Sequence, residues 1–305
     1  MASSSLRIGI SLASAQPLAS DVEAPRFVIE RAQAARRAGL ASLTLGDHHS
    51  TGPVPYVQGA PMIGRLLAEW DERPIGCLFL VPAWNPVLMA EQIGTLAAMA
   101  QGPFIVQTGL GGRDQLDAMG IRVAHRGRQL EAAIVAVQAL LAGERVTSEE
   151  LGLQKAAIAP RPPRPVEWWI GAIAAPAIDR AARLGSGWYA DPGLTPKTAE
   201  VRMRTYLEAC VRHGALPGTR ALRKDVFIAD DDARACQVGE ALIERGYRGM
   251  KRETVIFGSP ERVAEQLRPF AELGFTDVII RTMTVPQPDA LRSIELAGEV
   301  AKLMT

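Results

Sequence analysis

The segment GDHHS at residues 46–50 gathers three titratable side chains, Asp47, His48 and His49, directly after a run of small and apolar residues. Histidine has a pKa near neutrality and can take up or release a proton, and a neighbouring carboxylate can orient its ring or bind a ligand. A structural role is the alternative, with Asp47 capping the loop and one histidine packed inside it. Adjacent histidines on an extended segment point apart and no Cys or His cluster elsewhere completes a ligand set, so we expect no metal site.

The segment GAIAAP, residues 171–176, is the best candidate for binding a phosphate. A helix that begins at Pro176 follows Ala174 and Ala175, which carry no side-chain oxygen to cap it. Its first N–H groups therefore need another partner, and an anion suits the helix dipole there. A water-capped helix start is the alternative. The residues predicted to contact the cofactor here are Gly171, Ala172, Ile173, Ala174 and Ala175.

The segment TGLGGRD, residues 108–114, has three glycines in four positions. Glycine permits tight turns and a close approach to a flat ring or a phosphate, which makes Gly109 and Gly111 candidates for cofactor contact. The spacing does not match the G-x-G-x-x-G dinucleotide fingerprint, and a plain tight loop remains an equal alternative.

Composition excludes several classes of protein. The 305 residues include 34 Lys and Arg against 33 Asp and Glu, a net charge of +1, so no single-sign field indicates nucleic acid or an anionic membrane. No apolar stretch approaches the ~18 residues of a membrane span, and the N-terminus does not read as a signal peptide. Three scattered cysteines form neither a disulfide framework nor a metal spacing, which favours a reducing cytoplasm.

Short apolar strands alternate with amphipathic helices along the chain and predict an α/β fold. Eight such units are the content of a (β/α)8 TIM barrel, here a single domain over 1–305; a doubly wound sheet is the alternative. Long excursions are predicted after strand four, at 143–165, and after strand seven, at 230–258. The predicted strands lie near residues 6–12, 41–46, 75–81, 103–109, 166–171, 186–190, 224–229 and 276–281.

The sequence also indicates where several helices begin and end. A capping side chain followed by proline predicts helix starts at Asn85, Thr195 and Ser259. Glycines that follow amphipathic stretches predict left-handed helix ends at Gly39, Gly185 and Gly274.

The chemistry of such a barrel belongs at the C-terminal ends of its strands. The segments described above all fall at predicted strand ends, together with Trp84, Tyr189 and Arg281. We predict that Trp84 and Tyr189 line the substrate pocket, although a tryptophan packed in the core is an equal alternative for Trp84.

Four motifs in order resemble those of the bacterial luciferase-like superfamily of flavin and deazaflavin oxidoreductases, over nearly the whole chain. They are GDHH, the segment from NPVLMAEQ to GLGGRDQLDAMG, WWIGA with AIDRAARLGSGW, and GSPERVAEQL with LGFTDVIIR. The resemblance implies a (β/α)8 barrel, FMN or coenzyme F420 at its C-terminal mouth, and a homodimer, which we expect to form on the side of the helix from Pro86. It also implies that His48 and Asp47 are the catalytic and cofactor-facing pair. We predict that the adjacent His49 contributes to substrate binding.

The resemblance adds one expectation on the third strand. The deazaflavin branch has a non-proline cis peptide there that presses on the cofactor ring, and an equivalent would lie between Gly76 and Phe79. Cys77 and Leu78 are therefore candidates for cofactor contact. Gly76 within a strand independently indicates a bulge or a close backbone approach.

The function predicted from these features is a flavin-dependent oxidoreductase of the luciferase-like monooxygenase type that acts on a small organic substrate. If the cofactor is FMN, a separate reductase would supply it in reduced form. The alternative is coenzyme F420-dependent hydride transfer, with His48 managing the proton, and the acid–histidine pair fits both. A cofactor-free metabolite-binding barrel is the alternative of a different class.

Overall fold

The structure is a computed structural model that describes residues 5–121 and 125–305. Residues 1–4 and 122–124 of the predicted 1–305 domain lie outside the described residues. The strands are Arg7–Leu12 (β1), Leu43–Leu45 (β2), Ile75–Leu80 (β3), Phe104–Gly109 (β4), Val146–Ser148 (β5), Leu153–Ala156 (β6), Glu167–Ala172 (β7), Gly187–Ala190 (β8), Thr219–Ile228 (β9), Ile256–Gly258 (β10) and Asp277–Thr282 (β11).

Eight parallel strands close into a barrel in the order β1-β2-β3-β4-β7-β8-β9-β11. The ring is completed where β11 pairs with β1, with Ile8 beside Val278, and where β8 pairs with β9, with Tyr189 beside Ala221. The short strand β10 pairs with the C-terminal end of β9, at Val226, Phe227 and Ile228. The predicted (β/α)8 barrel is therefore confirmed.

Helices cover the outside of the barrel, and their apolar faces bury the outer faces of the strands. In the described residues the α-helices are Glu23–Arg37 (α1), Gly59–Leu66 (α2), Pro86–Met99 (α3), Arg113–Ala118 (α4), Arg126–Ala142 (α5), Ala175–Leu184 (α6), Pro196–Arg212 (α7), Asp232–Glu244 (α8), Pro260–Glu272 (α9) and Gln287–Leu303 (α10). None of these described helices is long and apolar enough to cross a membrane.

The three helix starts predicted from a cap and a proline are confirmed. The Asn85 side chain accepts a hydrogen bond from Val87 N at 2.9 Å, Thr195 forms a reciprocal capping box, and Ser259 accepts from Arg262 N. Each cap satisfies N–H groups that would otherwise lack a partner at the helix N-terminus.

Two of the three predicted left-handed helix ends are confirmed, at Gly39 (φ +71°) and Gly274 (φ +93°). The prediction for Gly185 is wrong, because this residue is extended, with φ −93°. Glycine is needed there for space: a Cβ would lie 2.8 Å from both Ala181 O and Gly187 O. The helix therefore runs into β8 through a close backbone approach and not through a left-handed turn.

The barrel interior is narrow, and glycines let its strands approach. A Cβ on Gly76 would lie 2.0 Å from Ile105 O, and one on Gly171 would lie 2.4 Å from Thr108 O. The predicted close approach at Gly76 is thus confirmed. Every peptide bond of β3 is trans, so the non-proline cis peptide expected between Gly76 and Phe79 is not present.

The two long excursions differ in structure. The first, 143–165, contains the antiparallel hairpin β5–β6, which packs against α5. The second, 230–258, contains α8, two short 3-10 turns around Tyr247–Gly249 and Arg252–Thr254, and β10. Because β10 pairs with β9, this second excursion returns to the barrel wall and places its turns at the C-terminal rim.

Candidate active site at the barrel mouth

Asp47 joins the ends of two strands at the C-terminal mouth. Its carboxylate is buried, with 5% of the residue exposed, and Oδ2 accepts hydrogen bonds from Leu80 N at 2.9 Å and from Trp84 Nε1 at 2.8 Å. Leu80 ends β3, so the carboxylate fixes the loop after β2 to the loop after β3. The Trp84 indole is held by this bond and by edge-to-face contact with Phe79.

His49 is the histidine nearest to Asp47. Its Nε2 lies 3.0 Å from Asp47 Oδ1, although the two atoms are not aligned for a hydrogen bond. Its ring meets Trp84 edge-on, and its backbone oxygen accepts from Gln115 Nε2 at 2.9 Å. The structure therefore brings Asp47, His49 and Trp84 together.

His48 points to a different part of the mouth, as expected for neighbours on an extended segment. Its ring lies 4.9 Å from that of Tyr56, and both line a cavity of about 280 Å³. Burial lowers the pKa of His48 below its usual value, and the positive charges of Arg248 and Arg281 add to this, against the opposing effect of Asp47. The lowered pKa favours the neutral, proton-accepting form of the His48 ring.

The far wall of that cavity comes from β11 and from the second excursion. Arg281 and Tyr247 lie there, and the Tyr247 hydroxyl donates to Asp225 Oδ2 at 2.8 Å. Tyr189 lies deeper inside the barrel, with its ring 6.3 Å from that of Trp169, and burial raises its pKa. Arg281 and Tyr189 are predicted at strand ends from the sequence, whereas Tyr247 and Asp225 are not predicted to lie at the site. A signal for Asp225 exists, since RKD interrupts an otherwise apolar strand.

The two candidates on β3 face opposite ways, as alternation along a strand requires. Leu78 is half-buried and lies beside Gly109, where an added Cβ would be 3.8 Å from Leu78 Cδ1. Cys77 is buried on the outer side against Gly59 of α2, and burial raises the pKa of its thiol. Only Leu78 of this pair presents its side chain to the mouth.

The predicted phosphate segment follows β7. Ala172 is buried, and its carbonyl accepts from Trp188 Nε1 at 3.0 Å, whereas Ile173, Ala174 and Ala175 are exposed. Helix α6 starts without a side-chain cap, as predicted. Pro176 has no N–H and Ala177 N already donates to Ala174 O, so the N–H of Ala175 has no acceptor among the described residues and can bind a ligand.

Gly109 ends β4, and the left-handed Gly111 (φ +72°) follows it, close to Gln115. These glycines lie between the Asp47 site and the α6 N-terminus in the order of strands around the barrel.

Several buried polar atoms around the mouth lack a hydrogen-bond partner within residues 5–121 and 125–305. They include Asp47 Oδ1, His49 Nε2, Gln107 Nε2, Thr108 Oγ1 and Gln115 Oε1. Buried polar atoms are normally hydrogen-bonded, so such a cluster fits a polar ligand that completes them. The same part of the chain contains no group of three or more His, Cys, Asp or Glu side chains placed to hold a metal ion.

Comparison with known proteins gives a consistent result. The profile of the luciferase-like monooxygenase family matches residues 6–250. The F420-dependent glucose-6-phosphate dehydrogenase of Beutenbergia cavernae is 29% identical over 318 aligned residues, which cover 90% of this chain and 92% of the relative. The enzyme of the same name from Nakamurella multipartita is 25% identical, with 90% and 91% covered.

Solved structures share the fold at lower identity. An F420-dependent secondary alcohol dehydrogenase in complex with an F420-acetone adduct superimposes with a TM-score of 0.83 at 16% identity, covering 97% of this chain and 99% of that one. The oxygenating constituent of 3,6-diketocamphane monooxygenase from Pseudomonas putida, in complex with FMN, gives a TM-score of 0.80 at 17% identity, with 98% of each chain covered.

Proposed function

The chain belongs to the luciferase-like monooxygenase family, and from this premise we propose that it is an oxidoreductase that uses coenzyme F420 to oxidise or reduce a small organic substrate. The observation that carries the choice of cofactor is the match to F420-dependent dehydrogenases over nine-tenths of both chains. FMN-dependent oxygenation is the second candidate, favoured by the family description and by the shared fold of an FMN-bound monooxygenase.

The residues at the mouth fit a flavin-type cofactor. Leu78 and Gly109 offer an apolar surface without bulk for a planar ring, and Asp47 and Gln107 offer unpaired polar atoms for its edge. The uncapped start of α6 at Ala175 offers an N–H group and a helix dipole to a phosphate. When bound, F420 supplies a centre that accepts or donates a hydride, whereas reduced FMN supplies electrons for oxygen activation.

His48 is the residue we assign to the proton. It lines the cavity, its ring is held against Tyr56, and its lowered pKa keeps a ring nitrogen free to accept the proton of a substrate hydroxyl. Asp47 has a positioning role, because it is buried and holds Leu80 and Trp84.

Titration of the purified protein with coenzyme F420 and with FMN tests the cofactor. We expect saturable quenching of F420 fluorescence, with weaker binding of FMN. Tighter binding of FMN would move the protein to the oxygenating branch, with a separate reductase as partner. Binding of neither cofactor would leave a cofactor-free metabolite-binding barrel.

Ala175→Asp should raise the dissociation constant of the cofactor at least about tenfold, because a carboxylate at the start of α6 repels the phosphate from the helix N-terminus. Ala174→Asp should act in the same direction. Ala233→Asp is the matched control, since it places the same charge on an exposed residue in the first turn of α8. Unchanged affinity in both α6 variants would move the phosphate site elsewhere.

We also propose a homodimer through the exposed face of α3. Met89 and Ile93 of this helix pack into the barrel core, but Leu88 and Met99 are 56% and 55% exposed. Light scattering at micromolar concentration should give twice the 32.8 kDa of one chain. Leu88→Lys with Met99→Lys should give a monomer, whereas Val211→Lys on α7 should remain dimeric. A monomeric wild type would contradict the proposal.

The three free cysteines, of which Cys77 and Cys210 are buried, support the proposal that the enzyme works in the reducing cytoplasm.

A further inference from the structure

Three arginines surround one carboxylate where β9 and β11 reach the mouth. Asp225 is fully buried, with Arg223 Nε 3.3 Å from its Oδ1 and Arg248 Nε 3.6 Å from its Oδ2. Arg281 is close enough to both arginines that their charges lower its pKa, after the larger effect of burial. The three arginines and Asp225 together carry a net charge of +2.

Arg281 is the member of this cluster without a partner. It is 9% exposed, and its side chain makes no hydrogen bond or ion pair with any residue in the described parts of the chain. A buried guanidinium without a hydrogen bond or a direct ion pair is unfavourable, so the observation itself indicates a ligand that supplies one. Asp225 compensates this charge only in part: it raises the pKa of Arg281, but its Oδ2 is engaged by Tyr247 and faces Arg248.

Arg281 opens into the cavity of about 280 Å³ that also contains His48. Arg248 and Thr282 line the same wall, and Thr282 Oγ1 is a buried hydroxyl that has no hydrogen-bond partner among the described residues. This wall therefore presents two guanidinium groups and a hydroxyl to the space beside the proposed proton acceptor. Hydrogen-bond donors and positive charge in one enclosed place match the oxygens of an anion.

The backbone around Arg248 is held in an unusual conformation. Arg248 has φ +50°, between Gly246 at φ +78° and Gly249 at φ +65°. Left-handed conformations are unfavourable for a residue with a Cβ and concentrate at ligand sites. Here the conformation lets Arg248 line both the His48 cavity and the neighbouring cavity of about 470 Å³ that contains Arg223.

We propose that Arg281 and Arg248 form an anion subsite of the substrate pocket, so that the substrate is a small organic molecule that carries a carboxylate or a phosphate. The anionic group is held on the β11 side and the reacting carbon lies beside His48. That the ligand of this subsite is a substrate rests on the proposed function. The subsite is separate from the proposed phosphate site of the cofactor, because β8 and β9 stand between β7 and β11 in the barrel.

The test is calorimetric titration of the protein without cofactor, at low ionic strength, with inorganic phosphate and with acetate, and with chloride as the reference anion. The wild type should bind at least one of the two oxyanions and melt several degrees higher in its presence. The oxyanion that binds more tightly indicates whether the substrate carries a phosphate or a carboxylate. Arg281→Gln should weaken this binding at least tenfold and remove the rise in Tm. Arg248→Gln, at a more exposed position, should weaken it by a smaller factor.

Arg292→Gln is the control, because Arg292 is an exposed guanidinium paired with Asp230 on the surface. It should leave anion binding unchanged. Arg281→Met should melt higher than the wild type when no oxyanion is present, because it removes an unpaired buried charge. The proposal is overturned if the wild type binds neither oxyanion, or if Arg281→Gln and Arg248→Gln bind as the wild type does.

The cofactor titration separates this proposal from the proposed function. Arg281→Gln should bind coenzyme F420 as the wild type does. If it instead loses cofactor and oxyanion in parallel, the arginines serve the cofactor and the subsite proposal is wrong. If F420 does not bind the wild type at all, the proposed function fails while oxyanion binding is still measured on its own.

Discussion

His48→Ala should lower kcat by about 10²- to 10⁴-fold and leave the cofactor dissociation constant nearly unchanged, because a positioned acid or base contributes a factor of that size. The side chain lies on the rim against Tyr56 and makes no side-chain hydrogen bond within the described residues, so its loss should not disturb the barrel. Turnover is to be measured at saturating cofactor. His213→Ala is the matched control, since His213 pairs with Asp179 on the outer surface.

The pH profile gives a second readout of the same substitution. The pKa of His48 lies below the usual 6.5 because burial disfavours the charged ring. A residue that accepts a proton works in its neutral form, so kcat/KM should hold as the pH falls to about 6.5 and decline only below it. His48→Ala should lack this decline. If His49→Ala is the inactive variant and His48→Ala is active, the proton passes through the His49–Asp47 pair instead.

Asp47→Asn should raise the cofactor dissociation constant at least about tenfold and also slow turnover. The substitution removes the charge from a buried acceptor of two hydrogen bonds, at Leu80 N and Trp84 Nε1, and such bonds to a charged group are worth about 1.5–3 kcal/mol. It also places an amide beside His49 Nε2, which lies 3.0 Å from Oδ1, an atom that accepts no hydrogen bond within residues 5–121 and 125–305. Fluorescence titration with F420 measures the affinity, and thermal unfolding measures the loss of stability.

Asp277→Asn is the control for this effect. Asp277 is also a buried carboxylate, but it pairs with Arg7 at the beginning of β11, at the opposite end of the barrel. It should lose stability by a similar amount and keep the affinity of the wild type for the cofactor. If Asp47→Asn loses stability but binds F420 as tightly as the wild type does, Asp47 acts only on the fold.

The barrel could be predicted because its signals are local. Seven of the eight barrel strands start within two residues of the predicted positions, and the caps at Asn85, Thr195 and Ser259 mark helices through their own side chains. Strand β9 begins five residues before the predicted 224, since Arg220 and Arg223 interrupt the apolar pattern on which the prediction depends. Arg220 is explained by contacts distant in sequence, such as the bond to Gly274 O at 2.6 Å.

The site could be predicted only in part, because some of its contacts join residues that are distant in sequence. Asp47 and His48 are adjacent in sequence at a strand end, so their position at the mouth follows from the pattern alone. The sequence does not indicate which histidine ring contacts Trp84 and which contacts Tyr56, because these contacts depend on the arrangement of separate loops. Tyr247 reaches the mouth only because its excursion returns to pair along β9, and no local signal specifies that pairing.

This return of the second excursion has a consequence for divergence within the family. The residues that would seat the cofactor belong to strand ends on the β2, β3, β4 and β7 side, whereas Tyr247 and Arg248 are carried by a segment inserted between β9 and β10. Substitutions, insertions or replacement of the whole segment 246–254 can therefore change the wall of the pocket that carries Tyr247 and Arg248. The opposite wall, on the β2, β3, β4 and β7 side, keeps its geometry. Under the proposed function, substrate selectivity can therefore change through residues 246–254 while the strand ends that would seat the cofactor stay the same.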